Sequence, residues 1–126
     1  MKSLIFASLA LMVSTAAIAE EVMDDGSLVV LPVEAQQCDL PSAPPPIPET
    51  PEKEDLLKAQ KGVKGFQADM QAYRDCINQY NDSPDVSKGN IQAISNAHNY
   101  SVEMEERVAN MFNEAVRDYK ARQAKG

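Results

Sequence analysis

Leu56, Ala59, Val63, Phe66, Met70, Tyr73, Ile77 and Tyr80 fall at alternating spacings of three and four residues, giving four unbroken heptads with an apolar side chain at both seam positions. A strand alternates every two residues, so this spacing reads as an α-helix with one narrow, coiled-coil-like face. Start signals precede it. Thr50 suits the N-cap, Pro51 suits the first helical position, and Glu52, Glu54 and Asp55 complement the positive end of the helix dipole. Gly62 and Gly65 interrupt the run, each at about 1 kcal/mol relative to alanine, unless something packs closely there.

A second run opens at Ser83-Pro84-Asp85 and continues to about residue 123. Ile91, Ile94, Ala97, Met104, Val108, Met111, Phe112, Ala115, Val116 and Tyr119 form a broader stripe, interrupted by Ser101 and Glu105. A connection of about three residues between the runs makes the helices antiparallel. The expected fold class is therefore all-α: a two-helix hairpin over residues 52–123. A tight turn pairs residues whose numbers add to about 164, which sets His98 opposite Phe66 and leaves Glu105 near Ala59, solvated at the outer end. His98 on that seam is expected to be structural rather than a ligand.

Ahead of the helices, "MKSLIFASLALMVSTAAIA" has a lysine, an apolar run and a small-residue close at Ala17-Ile18-Ala19. Residues 1–19 read as a cleaved secretory signal, with the mature chain beginning at Glu20, in the periplasm or secreted. The alternative, a membrane anchor, needs roughly 20 apolar residues, and Glu20-Glu21 follow too soon. Export lets Cys38 and Cys76 form a structural disulfide; an intermolecular pair or free thiols are the alternatives. Residues 20–37 carry the short apolar stretch "LVVLPV", either a strand or an extended segment lying on something else.

Residues 38–51 hold six prolines behind Cys38. The 24 residues from Glu52 to Cys76 span about 36 Å as helix, and the 14 from Cys38 to Glu52 about 43 Å as polyproline II. The spans nearly match. An extended tract doubling back along the first helix and bonded near its far end would brace the hairpin; a flexible stalk or a ligand for a proline-binding module is the rival reading.

Removing Lys2 with the signal leaves 11 basic against 19 acidic side chains, a formal charge of −8. That argues against nucleic acid and anionic membrane surfaces as partners, and no second apolar span suggests stable membrane insertion. Glycine-rich phosphate loops, G-x-S-x-G, H-E-x-x-H and calcium-loop patterns are missing, and no residue spacing pairs a nucleophile with a base. No catalytic, cofactor-binding or metal-ligating residue is nominated, and no enzyme is expected.

The stretches "FQADMQAYRDCINQY" and "YSVEMEERVANMFNEAVRDYKAR", behind a signal and a cysteine-headed proline tract, resemble a largely uncharacterised group of small exported helical proteins of Gram-negative bacteria. The shared pattern includes F-N-x-x-V-x-x-Y, here Phe112, Asn113, Val116 and Tyr119. The resemblance implies export and supplies no activity.

The expected function is an exported structural or interaction module of the cell envelope. A periplasmic chaperone or stress-type protein shielding apolar clients is one alternative, and a secreted inhibitor or effector another. A first helix of about 29 residues against a second of about 40 would leave Val116 and Tyr119 beyond the end of their partner. Those two residues are the expected site of self-association or of a protein partner.

Overall fold

The computed structural model describes residues 20–126, so the expected signal, residues 1–19, lies outside the described residues. Two long helices, α1 (Lys53–Asn78) and α2 (Lys88–Lys125), pack against each other as an antiparallel hairpin. Before them run an arm with a single 3-10 turn at Ala35–Gln37 and then the proline tract. The arm is not a strand. One isolated bridge, Val22 to Leu28, closes a turn in which Gly26 takes φ 86°, and no named strand is formed among the described residues.

Both helices begin later than the sequence signals suggest. Glu52, not Thr50, caps α1, because Asp55 reaches back to the Glu52 amide at 2.9 Å and closes a capping box. Pro51 stays outside the helix and is buried. Ser87, not Ser83, caps α2: its Oγ accepts from Asn90 N at 3.0 Å while Asn90 Oδ1 accepts from Ser87 N at 3.1 Å. The connection is thus nine residues, Gln79–Ser87, and not about three. It climbs through successive turns, with Asn81, Ser83 and Val86 each donating to the carbonyl three residues back.

That longer connection resets the register. Arg74 meets Ser101 and Glu105, Asn78 meets His98, and Arg122 meets the carbonyl of Pro51. Relative to a tight turn, α2 is displaced by about three turns, so His98 does not face Phe66 and Glu105 is not at the outer end. The helix lengths, 26 and 38 residues, are unequal as expected, but the excess lies at the other end. Because Asn78 faces His98 and Ile94 packs on Ile77, only the start of α2 projects past α1, while Arg122 and Tyr119 lie beside the first turn of α1.

The arm covers this projection. Ser27 Oγ accepts from Gly89 N at 2.9 Å, and the Val30 carbonyl accepts from Asn90 Nδ2 at 2.7 Å. Leu31 and Cys38 pack on the cluster of Tyr73, Ile77 and Ile94, and Ala35 is buried. Asp25 holds Ser27 in place by accepting from its hydroxyl at 2.6 Å, and this bond keeps the carboxyl below its usual pKa.

Two glycines follow different rules. A Cβ on Gly89 would strike the Leu28 carbonyl oxygen and lie 2.5 Å from its carbon, so Gly89→Ala pushes arm and helix apart. Losing both arm hydrogen bonds lowers stability by about 1–3 kcal/mol in denaturant titration. Gly65 has nothing within 4 Å, and Gly65→Ala is expected to gain about 1 kcal/mol of helix propensity.

The core follows from this register. Leu56, Phe66, Met70, Tyr73 and Ile77 of α1 are buried, with Ala93 and Ile94 of α2. Beyond Ser101, no residue of α2 is buried; Val108, Phe112, Val116 and Tyr119 are half-exposed.

Candidate functional site

Cys38 and Cys76 are bonded within the chain, with their Cα atoms 5.9 Å apart. From that bond the proline tract runs back toward the start of α1. Pro41 lines one hollow with Asp69 and Ala72, and residues 43–48 line another with Asp55, Lys58, Ala59, Gly62 and Val63. Pro44 comes near α1 at Gly62, where a Cβ would sit 3.5 Å from that of the proline. At Gly65 nothing approaches.

The second hollow is an apolar groove of about 340 Å³. Prolines form one wall, α1 the floor, and Val108 with Met111 of α2 the far side. Pro44, Pro45, Pro46 and Pro48 carry no N–H, so Ala43 and Ile47 bring the only backbone donors to a wall that is otherwise hydrocarbon and carbonyl. Met111, 52% exposed, stands at the lip and also lines a shallow shelf with Glu103, Glu106, Arg107 and Glu114. Groove and acidic shelf are therefore continuous. The apolar residues of α2 were legible as a stripe, but the groove's other wall depends on where the prolines fold back.

Val116 and Tyr119 lie apart from this groove's lining. Both are half-buried, and Tyr119 is flanked by the Arg122 guanidinium, 5.8 Å from its ring centroid. Arg122 donates to the Pro51 carbonyl at 2.7 Å, fastening the end of α2 to the end of the tract.

Between the helices sits a polar cluster. The Arg74 guanidinium donates to Ser101 Oγ, Gln71 Oε1 and Glu105 Oε1, each at 3.1 Å, and the Ser101 hydroxyl donates to the His98 carbonyl at 2.7 Å. His98 is joined to Asn78 at 3.1 Å. Tyr73 is buried alongside, and that burial raises its phenol above the usual value. Arg74 is the only basic residue between Lys64 and Lys88, and Ser101 and Glu105 interrupt the facing stripe four residues apart. That pairing was the available signal.

Every guanidinium bond here satisfies a neighbour, so the cluster sets register rather than presenting a reactive group. With side chains only 9% and 19% exposed, Glu105→Ala strands the Arg74 charge. A loss of about 2–3 kcal/mol is expected, below the range for a fully buried pair because water still reaches Glu105. Arg74→Met/Glu105→Leu should recover most of it, and a double-mutant cycle in denaturant reads both.

Among the described residues, no three His, Cys, Asp or Glu side chains come together as a metal site, and no helix is long and apolar enough to cross a membrane. Comparison of the chain with protein-family models, with curated proteins and with solved structures finds no match in any of the three.

Proposed function

We propose that the protein is an exported, non-enzymatic interaction module of the cell envelope, working in the periplasm or outside the cell. Its partner is an extended protein segment with apolar side chains and flanking Lys or Arg. The apolar groove beside the proline tract supports this reading, because its lip at Met111 runs into a shelf where Glu103, Glu106 and Glu114 outnumber Arg107. An apolar segment fits the groove, and its basic flanks meet the shelf on a chain of formal charge −8 without its signal. The intrachain disulfide is compatible with a non-cytoplasmic setting.

Synthetic peptides with one apolar core and either Lys or Glu flanks test this by NMR titration. Lys-flanked peptides are expected to shift Ala59, Gly62, Val63, Val108 and Met111, more weakly as salt rises, and Val108→Asp should abolish the shifts. Equal binding of Glu-flanked peptides would remove the charge argument. Ultracentrifugation addresses a second copy of the chain: a wild-type dimer lost in Val116→Asp/Tyr119→Asp would put self-association in place of a foreign partner.

A further inference from the structure

The groove has one wall that is not fastened to its floor. Residues 39–50 make no hydrogen bond to α1 or α2, and the six prolines of the tract have no N–H to offer. The segment is held at its ends, by the Cys38–Cys76 bond and by buried Pro51, whose carbonyl accepts from Arg122. The helices are joined independently of that bond, through the Phe66–Met70–Ile77 seam and through Arg74 with Ser101 and Glu105. The arm keeps its own ties to α2 at Gly89 and Asn90.

We propose that the Cys38–Cys76 disulfide is a redox latch on the groove: its reduction frees the wall of Pro44–Pro48 and dismantles the groove, while the hairpin stays folded. The bond is reachable. Cys38 and Cys76 are half-buried and line a surface hollow with Gln37, Asp39, Pro41 and Asp69. A thiolate of an external dithiol attacks one sulfur, forming a mixed disulfide and expelling the other cysteine as thiolate. The reductant's second thiol then closes on the first and releases the remaining cysteine. Two electrons and two protons end on Cys38 and Cys76, and the reductant leaves as a disulfide. The tract then becomes a loop whose first end is held by packing alone, Cys38 on the Tyr73–Ile77–Ile94 cluster, and whose second end is Pro51.

This deepens the reading of the groove as a partner surface, but the latch can be read with no partner present. In the oxidised protein, NMR should show Overhauser contacts between the ring protons of Pro44 and the α-protons of Gly62. Dithiothreitol is expected to abolish them and to move Ser42, Ala43, Ile47 and Glu49 to random-coil shifts, while Phe66, Met70 and Ser101, buried between the helices away from the bond, keep theirs. Cys38→Ser/Cys76→Ser should reproduce the reduced spectrum without reductant. Pro44–Gly62 contacts that persist in protein with two free thiols by mass would overturn the latch. Collapse of the seam signals would overturn it too, because the bond would then hold the fold rather than the groove. A peptide that fails to bind the oxidised protein counts against the partner surface alone.

Discussion

Phe66→Ala is expected to lower the unfolding free energy of the oxidised protein by about 3–5 kcal/mol, read as an earlier midpoint at nearly constant slope in chemical denaturation. The side chain is 4% exposed, so the lost transfer energy is close to that of the whole ring. The register sets it opposite the turn of α2 around Val108 and Phe112, neither of which is fully buried on its own. What decides the position within the range is whether the helices can close on the space left behind. They are pinned on one side by Arg74 with Ser101 and Glu105, and on the other by Arg122 with the Pro51 carbonyl. Collapse is therefore restricted, and the upper half of the range is the expected outcome. Tyr119→Ala, at a half-exposed site, should cost about 1 kcal/mol by the same measurement. A Phe66→Ala loss below that of Tyr119→Ala would mean the seam is open to solvent.

The helices were legible because a heptad pattern needs only local periodicity. Leu56, Phe66, Met70, Tyr73 and Ile77 are buried as that pattern requires. The register was not legible, because it depends on where the connection ends, and two serines four residues apart both look like caps. Ser83 precedes a proline and an acid, whereas Ser87 has Asn90 three positions on, and the reciprocal bonds with Asn90 decide the matter. A cap misplaced by four residues, added to a chain that climbs through turns, moved every cross-helix pair. The same shift explains the polar cluster: a tight turn sets Glu105 near Ala59 and in solvent, whereas this register brings it to Arg74. It also decides the place of the arm. "LVVLPV" is an extended segment lying on α2: the overhang is at the connection, where Gly89 lets the Leu28 backbone come close. The candidate groove could not be read at all from periodicity, since prolines have none of their own and the wall forms through contacts distant in sequence, such as Pro44 beside Gly62.

Removing the bond by Cys38→Ser/Cys76→Ser is expected to lower stability by about 4 kcal/mol, from the chain-entropy cost of a ring of this length. The sequence separation is 38 residues, and the ring contains all of the proline tract. Most of the effect acts on the unfolded chain, because the folded hairpin keeps its seam, its Arg74 cluster and its arm contacts. Two consequences separate this from the loss of a packing contact. First, the unfolded variant is less compact than the cross-linked chain, so the denaturant slope should rise as the midpoint falls. Second, the helical circular dichroism before the transition should match that of the wild type. The prolines add a smaller contribution of the same kind. Replacing Pro44, Pro45 and Pro46 with alanine in the oxidised protein loosens the unfolded ring, at about 0.4–1 kcal/mol for each residue. If the tract lay free of α1, these replacements would be near neutral; if it braces the hairpin, their effect should shrink in the Cys38→Ser/Cys76→Ser background. Bond and prolines would then be coupled because a stiff segment restrains the helices only when both of its ends are fixed.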